Sequence, residues 1–304
     1  MVPLADLTPL HVQRIYNEMC NKGLSSRTIR YAHTVLSMAL ARAVYWGFIP
    51  RNVAKLVKVP KVIRTVQIRL LDANQVARFL DAAVSDRWYT LFVIALDSGM
   101  RPEEYLGLCW SSVDLKEGVV SVERVLVWER KGGGWSLDTP KTQRSRRSIV
   151  LSPETVEMLR GHKRTQAEVR IKAGGKHQSR GFVFATDEGG PPSPGNISRR
   201  HFKPVVERMI DAELEEKGER DQARRKKEAA DLARQYRLYD LRHTMATLLL
   251  KANCHPKIVS EWLGHAGIGI TLDTYPHVLP TMQLELRLIS QKSCFRASAH
   301  IRHT

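Results

Sequence analysis

The sequence predicts a mainly α-helical protein with a small antiparallel β-sheet: a helical N-terminal unit, then a larger mixed α/β unit. Three observations predict this. Apolar residues recur at helical spacing over long stretches, as in Ile29, Ala32, Leu36, Ala39, Leu40 and Ala43. Valine-rich, partly alternating segments concentrate in the middle, between residues 119 and 151. The 304 residues are ample for a core without disulfide or metal staples, and suggest about two domains at roughly 100–200 residues each.

Thr8 is placed to cap a first helix that starts at Pro9, and Gly23 follows its end. Ser25 or Ser26 opens a second helix, which Gly47 stops, and Asn52 opens a short third that ends before Pro60. This unit spans residues 1–63, and 64–71 read as a linker. Asp72 caps a helix over 75–83; another runs from Trp88 to Asp97 and ends at Gly99. Residues 119–128 read as one strand, Gly132-Gly133-Gly134 as a turn, and 135–139 and 147–151 as two more strands. Ser152-Pro153 starts a helix, and Phe182-Val183-Phe184 is a short extended piece. From about Asn196 the pattern is helical. Within it Glu213–Arg237, dense in both charge signs, reads as an exposed helix or helical insertion. The large unit is assigned 72–290 and a C-terminal tail 291–304.

Lys and Arg number 48 against 31 Asp and Glu, a net charge of +17. Such an excess calls for a polyanionic partner, with nucleic acid ahead of an anionic membrane surface. Through Lys61 there are nine Lys/Arg and two acidic residues, so the small unit carries a large part of it. No apolar run approaches the roughly 20 residues that cross a bilayer, and Met1–Asp6 has no signal-peptide pattern. The four cysteines are scattered and form no Cys/His cluster. The expectation is a reduced, cytoplasmic and nucleoid-associated setting with no zinc site.

Three segments carry chemistry. Ala95–Trp110 holds Arg101 between a Gly-ended helix and a Pro that can begin the next; Arg101 would there meet an anion or pair with Glu104. Tyr239-Asp240-Leu241-Arg242-His243-Thr244 leads into an apolar helix. Leu263-Gly264-His265 precedes Thr271-Leu-Asp-Thr-Tyr275-Pro-His277. Between the first two, Thr139-Pro-Lys141-Thr-Gln-Arg-Ser-Arg-Arg147 sits on a turn between two expected strands. Taken singly, Arg242 could pair with Asp240 or Glu261, His265 could cap a helix end, and Tyr275 could be a core tyrosine. Arg144, Arg146 and Arg147 compete with Lys141 as a phosphate contact, and His243 reads as a structural hydrogen-bonding residue.

In order and over about 70–288, these segments resemble the tyrosine recombinase (phage integrase) family. That family has an Arg in Gly-x-Arg-x-x-Glu, a Lys on a β-hairpin, a His-x-Leu-Arg-His-Thr motif, a Leu-Gly-His motif and a Tyr in Thr-x-x-x-Tyr-x-His. Arg101, Lys141, Arg242, His265 and Tyr275 match, with Glu104 and His277 as flanking matches. The resemblance implies a helical core-binding domain and a mixed α/β catalytic domain that form a C-shaped clamp on double-stranded DNA. It further implies attack by Tyr275 on the scissile phosphate, giving a 3′-phosphotyrosyl link and a free 5′-hydroxyl, and strand exchange by a homotetramer on two DNA sites. The two arginine forks suit phosphoryl oxygens and stay charged, His265 adds a hydrogen bond, and Lys141 serves as general acid. No acidic cluster suits Mg²⁺, so no metal or cofactor is expected.

Three features depart from the family pattern. Tyr239 stands where the family has the His of His-x-x-Arg; a phenol can hydrogen-bond a phosphoryl oxygen but carries no positive charge near neutrality. Tyr239 is expected to fill the same place with activity retained. Glu103 occupies a usually small position and is expected to face solvent or a basic residue. The chain starts late for a full integrase, so the core-binding unit reads as truncated at its start. Rival expectations are a decayed integrase that only binds DNA and a type IB topoisomerase-like enzyme.

Overall fold

A computed structural model of the protein describes residues 2–59, 68–129, 134–140, 142, 145–174 and 178–275. Lys141, Gly132, Gly133, His277 and the C-terminal segment from 276 lie outside the described residues. The chain divides into two compact units, residues 1–67 and 68–304.

In the first unit a short 3₁₀ turn, Leu4–Asp6, precedes α1 (Pro9–Asn21) and α2 (Ser26–Tyr45). The Thr8 hydroxyl accepts the His11 N–H and Pro9 needs no donor partner, so two first-turn problems of α1 are solved locally. Ser25 caps α2 through the Thr28 N–H at 3.1 Å. The expected third helix is a single 3₁₀ turn, Val53–Leu56, capped by Asn52. Val57 is already extended, as suits the β-branched stretch that leads to Pro60. Val12, Tyr16, Ile29, Leu40, Ala43 and Ile49 close a core of this unit's own.

The second unit begins inside the stretch read as a linker. Leu71 is 3% exposed, and its N–H donates to the Thr244 hydroxyl. Three helices follow: α3 (Ala73–Ala83), α4 (Tyr89–Ser98) and α5 (Pro102–Leu106). Because α4 is apolar all round, it is buried on nearly every side, through Leu91, Phe92, Ile94, Ala95 and Leu96. Five short strands come next: β1 (Val113–Asp114), β2 (Val119–Val122), β3 (Val125–Trp128), β4 (Trp135–Asp138) and β5 (Arg147–Val150). The single strand expected over 119–128 is thus two. Glu123 and Arg124 are exposed and break the ladder. β2 lies between β1 and β5, while β3 pairs with β4, all antiparallel. Residues 139–146 therefore join strands of two different sheets instead of closing a hairpin between β4 and β5.

The rest is helical: α6 (Pro153–Ala173), α7 (Pro194–Ile197), a π-helical turn Ser198–Phe202, α8 (Lys203–Glu216), α9 (Gln222–Ala233), α10 (Leu238–Lys251), α11 (Pro256–Leu263) and α12 (Ile268–Thr274). The charge-dense stretch 213–237 is not one exposed helix. It turns at Gly218, and α9 folds back on α8 with Ala229 and Ala233 buried. Arg225 on α9 is buried too, bonded to Asp211 at 2.8 Å and to Glu215 at 3.3 Å. Mixed charge signs here serve helix pairing as well as solvation. No described helix is long and apolar enough to cross a membrane.

Candidate active site

Three distant segments meet at the turn Leu263-Gly264-His265. Gly264 ends α11 with φ +64°, a left-handed conformation that a Cβ would strain, and the His265 N–H returns to the Ser260 carbonyl at 3.0 Å. Gly99 ends α4 in the same way with φ +60°; a Cβ there would sit 3.0 Å from Leu263 Cδ2. Both reversals therefore need glycine, and they bring three backbone carbonyls to the two arginines. Arg242 Nη1 donates to the Gly99 carbonyl and Nη2 to that of Leu263, each at 2.7 Å. Arg101 Nη2 donates to the Gly264 carbonyl at 3.2 Å.

The two arginines are held differently. Arg101 Nη1 and its backbone N–H both donate to Glu104, at 2.7 and 2.8 Å. The same buried carboxylate takes Arg147 at 2.9 Å, and Arg147 Nε donates to the Trp262 carbonyl at 2.6 Å. Both guanidiniums hold Glu104 well below the usual carboxylate range although burial opposes this. Burial likewise opposes charge on Arg101, and Glu104 outweighs it with help from Tyr239. Arg242, on α10, is 1% exposed. Neither Asp240, which binds Arg237, nor the exposed Glu261 pairs with it. Its acceptors are neutral carbonyls, and its Nε has no hydrogen-bond partner among the described residues. Burial and the Arg101 charge lower its pKa to about 10, so it remains charged at neutrality. A buried cation whose hydrogen-bond acceptors are both neutral carbonyls favours an incoming anion.

His265 hydrogen-bonds the Thr271 hydroxyl through Nδ1 at 2.8 Å. Burial first, then Arg242 and Arg101, push its pKa down to about 3, so the ring is neutral. The neutral ring carries a single proton, and the Thr271 hydroxyl can give or take the hydrogen bond at Nδ1. Thr271 also accepts, through its carbonyl, the Tyr275 N–H at 3.0 Å, so one residue of α12 orients both groups. Tyr275 is 1% exposed and packs on Ala246, Leu250, Val259 and Leu263. Its hydroxyl lies 2.8 Å from Nδ1 of His243. Burial raises the phenol pKa against the opposing field of Arg242. The core reading of Tyr275 and the placement beside the arginines thus coexist.

Arg101, Arg242, His265 and Tyr275 come together, with Tyr239 beside Arg101. Glu103 is exposed. Lys141 lies outside the described residues. Arg147, weighed as a phosphate contact, is engaged with Glu104. With Arg146, Lys257 and His265 it lines a basic groove of about 510 Å³. Sequence reasoning missed two roles: Glu104 as the anchor of both Arg101 and Arg147, and His243 as a partner of Tyr275. Each left a partial signal: pairing of Arg101 with Glu104 was one reading of the first segment, and His243 lies one helical turn beyond Tyr239. No cluster of metal-ligating side chains occurs among the described residues.

The profile described as the phage integrase family matches residues 69–282. The chain is 27% identical over 288 residues to a tyrosine recombinase XerC-like protein of Caldanaerobacter subterraneus subsp. tengcongensis, covering 89% of this chain and 67% of that protein. It is 30% identical over 268 residues to an integrase of Streptomyces ambofaciens, covering 86% and 62%. The chain thus spans about two thirds of the length of these relatives. Its fold is similar to that of the Tn1549 transposon integrase solved with transposon right end DNA, with a TM-score of 0.72 at 22% identity over 95% of this chain and 87% of that one. It is also similar to a lambda integrase dimer bound to a core site, with a TM-score of 0.56 at 19% identity over 90% and 81%.

Proposed function

The chain belongs to the phage integrase family of tyrosine recombinases, enzymes that break and rejoin DNA strands, and on that premise we propose that Tyr275 is the nucleophile of a site-specific recombinase acting on double-stranded DNA. The observation that carries this reading is the cradle at the 263–265 turn. There Arg242 is buried without a carboxylate acceptor, Arg101 is pre-oriented by Glu104, and the His265 ring is neutral.

The scissile phosphate binds between the two guanidinium forks, which neutralise its nonbridging oxygens. His265 Nε2–H donates a further hydrogen bond. Tyr275 attacks phosphorus, the bond to the 5′ oxygen breaks, and Lys141 protonates the leaving oxygen. A phenol suits a reversible step because phosphotyrosine remains close in energy to a phosphodiester. Tyr239 hydrogen-bonds the phosphate in place of the family histidine. Four copies on two duplex sites exchange strands.

The test is a covalent trap. The protein is incubated with a pool of nicked duplexes randomised around the nick, so that a cut strand loses its short 5′-hydroxyl fragment. The expected outcome is a denaturant-stable protein–DNA adduct, absent with Tyr275→Phe. An adduct that persists in Tyr275→Phe, or none with the unaltered protein, rejects the reading.

A further inference from the structure

We propose that His243 accepts the proton of the Tyr275 hydroxyl when that oxygen attacks the DNA phosphorus. The inference rests on the reading above and adds a residue to it. Its basis is geometric: Nδ1 of His243 lies 2.8 Å from the Tyr275 hydroxyl, and the rings meet edge to face with centroids 5.7 Å apart. The contact is long-range in the chain, since α10 supplies the imidazole and the residue after α12 supplies the phenol.

A buried phenol whose proton is held more tightly than usual is a poor nucleophile until something removes that proton. Arg242 and Arg101 cannot, being donors only. His265 has its Nδ1 on Thr271. Among the described residues, His243 has a ring nitrogen already at hydrogen-bond distance of the phenol. Position 239, one turn back on the same helix, holds a phenol whose ring lies 5.0 Å from that of His243. A phenol lacks the basic nitrogen of an imidazole.

The proton balance closes with Lys141 in the role proposed above. As the Oη–P bond forms and the P–O5′ bond breaks, the phenol proton passes to Nδ1, and the leaving 5′ oxygen takes one from the Lys141 ammonium. On rejoining, the 5′-hydroxyl gives its proton to the Lys141 amine as its oxygen attacks phosphorus, the Oη–P bond breaks, and imidazolium returns its proton to Oη. Without DNA, burial and then the charges of Arg242 and Arg237 hold the His243 pKa down at about 4. A phosphate on Arg242 offsets that charge and raises the basicity of the imidazole. Proton acceptance is thereby coupled to occupancy. Among the described residues, the groups that face His243 are Arg237 at the start of its helix, Tyr239 and Arg242 on that helix, His265 beyond α11, and Tyr275.

The experiment uses the nicked duplex recovered from the pool. Single-turnover cleavage is followed against pH for the unaltered protein and for His243→Asn, which keeps a polar group near Nδ1 but cannot take a proton. Cleavage is expected to fall by about 10²- to 10³-fold at unchanged DNA affinity. The acid-side decline of the unaltered protein, where imidazole is already protonated, should vanish in the variant. Cleavage by the variant at the unaltered rate, or with the same acid limb, overturns the inference and leaves the proposed nucleophile standing. ¹⁵N-histidine NMR of the DNA-free protein gives a readout independent of cleavage. It should show an unprotonated Nδ1 on His243 whose resonance moves in Tyr275→Phe. A protonated Nδ1, or one indifferent to that change, rejects the proposal whether or not an adduct ever forms.

Discussion

Arg242 and Glu104 set opposite tests at the scale of single residues. Arg242 needs both arms of its fork, one on the Gly99 carbonyl and one on that of Leu263. Arg242→Lys keeps the charge but loses the planar fork, so single-turnover cleavage should drop by about 10²- to 10³-fold, the usual cost of one misplaced oxyanion donor. Glu104 is buried between Arg101 and Arg147. Glu104→Gln leaves two guanidiniums without their anion, and urea unfolding should show a loss of about 3–5 kcal/mol, as for other broken buried ion pairs. The two changes separate chemistry from folding: the first should move the rate far more than the stability, the second both. At this scale Arg101, Arg242, His265 and Tyr275 were legible as candidates because each sits in a short local pattern. The use of Glu104 by both Arg101 and Arg147 was not, since Arg147 lies 43 positions away from it.

Two helix ends bring those residues together at the scale of elements. Gly99 and Gly264 both adopt left-handed backbone, and the space beside Gly99 is taken by Leu263 and Met245. Gly99→Ala should therefore lower stability by about 1–2 kcal/mol from the backbone alone, and more once Leu263 shifts, read as a lower Tm. Caps and stops were plain in the sequence: Thr8, Ser25, Asp72 and Ser152 all cap the helices that follow them. The strands were less so. Val119 to Trp128 has one composition but joins two ladders, because exposed Glu123 and Arg124 interrupt it and strand partners are chosen by packing. The charged stretch over α8 and α9 was helical as read, but its burial was not legible for a related reason. Arg225 is buried by pairing with Asp211 and Glu215, which no helical period announces.

Charge and pH act on the whole molecule. A net charge of +17 should make DNA binding strongly salt-dependent, with a log–log slope of about 0.9 per phosphate neutralised on duplex DNA; a flat response in a titration from low to high salt contradicts backbone binding. His243 and His265 are held neutral, with pKa values near 4 and 3, whereas in the unfolded chain histidine titrates at about 6.5. The unfolded state therefore binds more protons in that window, and stability should fall as pH drops from about 6.5 toward 4. Urea melts across that range should show a shallower fall in His243→Asn. The sequence by itself determined the fold class, the caps and stops of the first helices, the basic character and the set of candidate residues, because periodicity, caps and short motifs are local. Tertiary structure decided which groups share a carboxylate, which cation is left facing neutral carbonyls, and which imidazole reaches the phenol. Those outcomes depend on burial and on contacts between segments far apart in the chain, where hydrogen bonding and desolvation are settled only by packing.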